Sequence, residues 1–468
     1  MTAQLTRPAA TTRLGLVLVA CCLGQFMVVL DASVVNVALP SIAAELRFEV
    51  HNLQWVNNAY AIAFAGFLML GGRLADLFGQ RRMFLAGVLL FTLASSVGGL
   101  ATDPVTLVLA RAFQGLGSAV MAPATLTVLS TTFTDPGARA RAFGMWSAVS
   151  GAAGAIGVLL GGVITEWFSW RWILLVNVPI GVVLLAAVWS AVPETAGRRQ
   201  KLDVPGALLV TAGLLALVFG ISSKVPAAAA AGVVLLGIFL LHQAKFAAQP
   251  LVPLGIFRVR SVWSANLVAF FGIAALFSTF YFFTLILQQV LGYSPLQTGL
   301  SYLPLSAGIA IAGWRVSTVV PRTGPRPILL AGLALGCAGL LWLSSVDEHA
   351  TFAADLLGPA LLLGFGMGMV LNATTNAATA GLPREQAGLA SGLLNTTRQL
   401  GSALGLVTLA TISATRIDAE GGAGTHALVS GYGLAVFGAA MFTVAGFAAA
   451  LMVPRSRTAR GGGETLNT

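Results

Sequence analysis

Apolar residues in this chain run in long blocks, not in the one-sided stripes of a water-facing helix. Fourteen stretches come close to or exceed the about 20 apolar residues that a bilayer-crossing helix needs. They run over 14–39, 53–71, 83–101, 105–130, 141–163, 171–191, 205–222, 226–244, 262–287, 296–314, 327–345, 354–377, 387–412 and 430–453. Short polar or Gly/Pro breaks separate them, among them Gly79-Gln80-Arg81-Arg82, Thr134-Asp135-Pro136-Gly137 and Gly324-Pro325-Arg326. The seventh and eighth are joined only by Ser223-Lys224-Val225-Pro226, which predicts a tight helical hairpin. The expected fold is an all-α integral membrane protein of 14 transmembrane helices: two six-helix bundles plus two extra central helices. The bundles are placed at 14–191 and 262–453, with the extra pair within a linker at 192–261 and a cytoplasmic tail at 454–468.

A faint internal repeat supports two related halves. Gly144, Gly157 and Gly161 in the fifth stretch recur with the same spacing as Gly388, Gly401 and Gly405 in the thirteenth. Gly115-Leu116-Gly117 in the fourth is echoed by Gly366-Met367-Gly368 in the twelfth. Repeated halves are a common construction of secondary transporters.

Composition sharpens the membrane reading. Only 9% of residues are charged, against about 25% in soluble domains, and the mean hydropathy is +0.87. The net charge of +10 would suggest nucleic acid as a partner of a soluble protein. Here most of the 26 basic residues fall in the loops of one side, leaving Arg47, Arg171, Lys224 and Arg416 on the other. That asymmetry places both termini in the cytoplasm and argues against nucleic acid. The short polar segment before Arg13 leads into an apolar run that holds an acidic residue, so it reads as a first transmembrane helix, not a cleaved signal. Cys21, Cys22 and Cys337 have neither disulfide nor metal spacing, and the four histidines are scattered. Neither an enzyme nor a metal or cofactor site is expected, and no nucleotide-binding signature points to ATP as the energy source.

Two charges within the apolar stretches carry the candidate chemistry. Asp31 sits in Val28-Val29-Leu30-Asp31-Ala32-Ser33, and Arg111 in Leu109-Ala110-Arg111-Ala112. A carboxylate in hydrocarbon costs several kcal/mol unless it is protonated, paired or facing water, so Asp31 is a candidate proton carrier. At 1.5 Å per residue, Asp31 lies about 13 Å and Arg111 about 10 Å from the outer ends of antiparallel helices, a level at which they can meet. A static pair that only fixes packing is the bland alternative, but such a pair stabilises little.

Arg398 lies about 18 Å into the thirteenth stretch, near the midplane where transporter substrates bind. It suits an acidic or electron-rich substrate group, or else bonds to helix carbonyls. Gln114, Phe280, Gln288, Asn376 and Asn395 join it as candidate substrate contacts. Phe270, Phe271, Phe277, Phe280, Tyr281, Phe282 and Phe283 offer an aromatic wall for an amphipathic compound, or simply core packing. The absence of a carboxylate in the middle of the ninth and tenth stretches argues against dications and for a neutral or weakly acidic molecule. In the turn from Gly72 to Arg82, Asp76 can cap a helix N-terminus, Gly79 allows the turn, and Arg73, Arg81 and Arg82 anchor at headgroups.

With these strings in view, the chain resembles the major facilitator superfamily, in its fourteen-span drug:proton antiporter branch, over essentially its whole length. Leu30–Pro40 looks like that branch's first-span signature, and Gly72, Asp76, Gly79, Arg81 and Arg82 look like the superfamily's loop signature. Arg111–Gly117 is similar to its fourth-span motif. Gly154, Gly157, Gly161 and Gly162 resemble the helix-packing antiporter motif, followed by Trp170-Arg171-Trp172 and Asn177-Val178-Pro179. Two positions depart from the pattern: Leu77 replaces a basic residue, and Val158 replaces a proline that would bend the helix by deleting a backbone hydrogen bond.

The resemblance implies a monomeric exporter of antibiotics or drugs in the bacterial cytoplasmic membrane. It would work by alternating access, powered by protons and without a cofactor, with the lipid bilayer and small-molecule substrates as its partners. A proton-coupled nutrient importer and a non-transporting receptor or scaffold are the rival readings.

Overall fold

The computed structural model describes residues 8–49, 52–194, 203–247, 250–252, 254–380, 384–422 and 424–455. The first half comprises α1 (Pro8–Leu46), α2 (Trp55–Phe78), α3 (Gln80–Gly99), α4 (Pro104–Thr132), α5 (Pro136–Trp167), the short α6 (Arg171–Leu175) and α7 (Asn177–Ala191). A hairpin follows, α8 (Val204–Ser222) and α9 (Pro226–Lys245). The second half contains α10 (Arg260–Leu285), the short α11 (Pro295–Ser301), α12 (Leu303–Thr323), α13 (Pro325–Leu343), α14 (Leu357–Thr379), α15 (Arg384–Ala419) and α16 (Thr425–Leu451).

Among the described residues, 12 helical segments are long and apolar enough to cross a membrane. The expected count was fourteen. The two helices outside the twelve are α2, with Asn57, Asn58, Arg73 and Asp76 along it, and α5, whose apolar part is the shorter Ala152–Trp167.

Local chemistry sets the helix starts. Asp103 and Asp135 each precede a proline and accept the backbone N–H three residues on, from Thr106 at 2.9 Å and Ala138 at 2.7 Å. Ser294 and Gln297 form a reciprocal capping box at the head of α11. Two of the single-residue junctions between helices turn on a glycine with positive φ: Gly79 (93°) between α2 and α3, and Gly324 (78°) between α12 and α13.

The packing of the two halves follows one pattern. α1 packs on α5 as α10 packs on α15, while α2 and α3 flank α4 as α12 and α13 flank α14. Gly157 and Gly161 lie against Leu30 and Val34 of α1, and Gly401 and Gly405 lie against Phe270 and Ala274 of α10. Two of the three glycine pairs in the first echo therefore have a physical counterpart; Gly144 meets nothing within 4 Å, and the surroundings of Gly388 lie outside the described residues. The second is corrected by two residues. Gly115 faces Tyr60 of α2 and Gly117 faces Gly87 of α3; their counterparts are Gly364, facing Leu305 of α12, and Gly366, facing Gly332 of α13. Gly368, counted in the sequence echo, meets Ile309 of α12. Recurrent close contact, not string identity, sets the register.

The halves meet most firmly at one end. A buried cluster there joins Val34, Leu39 and Ile42 of α1 to Phe282, Tyr302 and Leu305 of the second half. Gly162 abuts the backbone of Pro295. Gln288 donates to the Val37 carbonyl at 2.9 Å, while Glu166 accepts from Ser294 Oγ (2.5 Å) and Leu296 N–H (2.7 Å). The α8–α9 hairpin lies over the seam where α2 meets α15, through α8. α9 exposes Val233, Val234, Leu240 and Leu241, as a lipid-facing helix would.

Candidate functional site

Six polar side chains converge inside the first half. α1 contributes Asp31, fully buried, and α4 contributes Arg111, 1% exposed. Arg111 Nη1 donates to Asp31 Oδ2 at 2.5 Å and to Gln114 Oε1 at 2.9 Å, and its Nε donates to the Val56 carbonyl at 3.1 Å. The guanidinium also lies over the Tyr60 ring, 4.6 Å from its centroid. Asp31 Oδ1 accepts from Gln114 Nε2 (3.1 Å) and Asn177 Nδ2 (3.0 Å). Both amides also donate to Ser95 Oγ, which donates in turn to the Leu174 carbonyl at 2.8 Å.

Every side-chain group that bonds to Asp31 here is a donor. This suits a carboxylate and leaves a neutral acid's proton without a partner unless something turns. The Oδ1 of Asn177 is buried beside it with no hydrogen-bond partner among the described residues. Rotating that amide would bring an acceptor to Asp31.

Asp31 and Arg111, singled out from sequence, are thus in contact. Gln114, grouped with substrate contacts, is fully buried and fully engaged in this charge cluster. Asn177, Ser95 and Tyr60 were not singled out as site residues. The Asn177-Val178-Pro179 string was the available signal for the first.

The other candidates lie elsewhere. Asp76 is within α2, and its side chain lies outside the described residues; Gly79 holds the N-cap position of α3 with no side-chain cap. Arg81 donates to the Trp189 carbonyl at 2.5 Å and stacks on its ring, while Arg82 pairs with Glu194 at 2.6 Å. These two arginines, expected at lipid headgroups, therefore tie α3 to the end of α7. Gly72 has room for a Cβ, but one on Gly71 would meet the Ala119 carbonyl at 2.1 Å. In α5, Gly157, Gly161 and Gly162 are tight against backbone, and Gly154 is not.

Of the aromatic wall, Tyr281, Phe282 and Phe283 are buried in the core. Phe280 is partly exposed and stacks on Tyr302 at 5.2 Å. Gln288 bridges the halves at the closed end. Asn376 is exposed on α14 and Asn395 is partly exposed on α15. Arg398 Nη2 donates to the Leu371 carbonyl (2.7 Å) and lies 2.9 Å from both Thr374 Oγ1 and Thr375 Oγ1. No group of three or more metal-ligating side chains occurs among the described residues.

Paired helical halves, the first enclosing a buried charge cluster, are the plan of a membrane transporter. A profile of the Major Facilitator Superfamily matches residues 21–406. The chain is 42% identical to the cephamycin export protein of Amycolatopsis lactamdurans, covering 94% of this chain and 92% of that one. It is 40% identical to the puromycin resistance protein of Streptomyces alboniger, over 83% and 80%. A bacterial homologue of the human lysosomal transporter Spinster, solved inward-facing and unoccupied, shares the fold with a TM-score of 0.66 at 18% identity, over 96% and 98%. The chain belongs to the Major Facilitator Superfamily.

Proposed function

We propose that this chain is a proton-coupled exporter of small amphipathic molecules of the antibiotic class, working as a monomer by alternating access. The names of its relatives support export and resistance. The observation that carries proton coupling is Asp31: a carboxyl group out of water, held by donors alone, with an unpartnered acceptor of Asn177 beside it.

In this reading α2 and α5 also span the membrane, giving fourteen spans, and both termini are cytoplasmic. Residues 14–191 and 262–453 are the moving bundles, 192–261 carry the extra pair, and 454–468 are the tail. The end closed by Glu166, Gln288 and Ser294 then faces outward, so the state is inward-facing and takes substrate from the cytoplasm. A proton arriving from outside neutralises Asp31 and loosens Arg111. Return to the inward state and proton release then accompany the next substrate capture. No cofactor enters this cycle; the proton gradient supplies the energy.

The test is efflux in everted vesicles with an imposed proton gradient. Asp31→Asn should abolish gradient-driven transport while the protein still inserts; wild-type rates from that variant would overturn the reading. Val158, in place of the antiporter proline, favours the importer rival, and the direction of flux under the same gradient separates the two.

A further inference from the structure

We infer that Arg398 is the anion seat of the transport cavity, and that it takes the carboxylate of an aromatic or amphipathic substrate; this rests on the exporter reading above and names its substrate class. The argument begins with charge. No Asp or Glu lies in the interior of any helix of the second half: Asp355, Glu385 and Asp418 stand at helix ends. Arg398, fourteen residues into α15, is a cation with no ion-pair partner among the described residues. The fully buried guanidinium, Arg111, has its carboxylate within 2.5 Å. An unneutralised cation at this depth is costly.

The hydrogen bonds of Arg398 are also incomplete. Among the described residues Nη2 alone is engaged, by one carbonyl and two threonine hydroxyls. Nε is buried and has no acceptor among the described residues. A guanidinium presents its donors in a planar fork that matches the two oxygens of a carboxylate, and here part of that fork is open.

The surroundings point to water, not lipid. Asn372, Thr375 and Asn376 are exposed along one face of α14, and the Arg398 guanidinium bonds to Thr375 on that face. Exposed amides and hydroxyls on a membrane-spanning helix belong on a wetted cavity wall. Asn395 and Gln399, partly exposed one turn or less from Arg398, extend this polar strip onto α15. Thr397 Oγ1 donates to Asn266 Oδ1 of α10 at 2.7 Å, which anchors the helix beside the seat. Substrate carboxylate would complete the fork from the cavity side, and its apolar body would lie along the seam between the halves.

The seat is tested by binding to the purified full-length protein. The probes are naphthyl-, biphenyl- and anthracenyl-carboxylates, each compared with its primary amide, and binding is followed by thermal shift at neutral pH. Wild type should favour the acids, and Arg398→Gln should weaken the acids about tenfold to a hundredfold while leaving the amides unchanged. Arg398→Lys, which keeps the charge without the fork, should fall between. No acid–amide preference in wild type, or equal loss of both in Arg398→Gln, overturns the seat. The same probes in proton-driven vesicles keep the two readings apart. Amides exported as well as acids, with no dependence on Arg398, would leave the exporter standing and remove the seat. Acid-selective binding without gradient-driven export would do the reverse.

Discussion

Replacing Asp31 with asparagine removes one charge and almost no volume, so its effect reports on electrostatics alone. In the native cluster the carboxylate accepts from Arg111, Gln114 and Asn177. The asparagine N–H groups would instead face donors, and Arg111 would be left as an uncompensated buried cation. Removing one member of a buried pair costs about 3–5 kcal/mol. Arg111 keeps the Val56 carbonyl, Gln114 Oε1 and the Tyr60 ring, so the lower end, about 3 kcal/mol, is expected. That is about a hundredfold in the folding equilibrium. Arg111→Gln should cost as much for the mirror-image reason, whereas the double variant, with no orphan charge, should be more stable than the sum by about 2 kcal/mol. Unfolding in mixed micelles measures stability, and gradient-driven efflux in vesicles measures function. Stability should return in the double variant and efflux should not. Additive stability losses would mean that the two charges are not coupled, and restored efflux would mean that the pair is only a structural tie.

Three further outcomes follow from the packing. A Cβ on Gly161 would stand 2.7 Å from the Val34 carbonyl, whereas one on Gly154 meets nothing closer than 3.9 Å; Gly161→Val should destabilise by about 1–3 kcal/mol in the same micelles and Gly154→Ala by far less. Glu166→Gln weakens charge-assisted bonds to Ser294 and Leu296 across the closed end; each is worth about 1.5–3 kcal/mol, so spin-label distances across that end should lengthen in part of the population, and an unchanged distribution would refute the latch. Burial pushes the Asp203 carboxyl up, but hydrogen bonds from Gln243, His242 and the Gly206 N–H outweigh it and hold it below the usual carboxylate range. Its contribution is therefore present above about pH 4 and lost as pH falls through the lowered value, so Asp203→Asn should lower Tm at neutral pH and flatten the acid limb of the Tm–pH curve.

The charged centre was legible from sequence because hydrocarbon makes charge conspicuous: Asp31 and Arg111 stand alone in apolar runs, and helical rise sets them at one level. Ser95, Tyr60 and Asn177 were not, since an uncharged polar side chain in a helix can satisfy itself locally, as Thr92 does on the Val88 carbonyl. Only the arrival of α2, α3, α4 and α7 around α1 marks them out. Sequence alone puts Gln114 among the substrate contacts because a lone amide looks available; its neighbour one turn away in the helix, Arg111, claims it. Gln288 belongs to the closed end for the same kind of reason, an inter-half contact that no linear spacing encodes. The paired-halves plan was visible in the glycines of α5 and α15 because close backbone contact tolerates little else, while the α4–α14 register needed the contacts themselves.

The shared packing plan also says what the second half lacks. Following the contacts of Gly157 and Gly161 onto those of Gly401 and Gly405, the place of Asp31 is taken by Phe271; following Gly115 and Gly117 onto Gly364 and Gly366, that of Arg111 is taken by Ala360. Neither the acid nor the base of the first half recurs there, so in the proton-coupled reading proposed above Asp31 alone would carry the hydrogen ion. One ion entering per neutral molecule expelled moves one charge, worth about 2.3 kcal/mol per 100 mV. An anion leaving through the same cycle doubles that electrical leverage, so a cell that holds its membrane voltage could expel acids even where the inside and outside pH are equal.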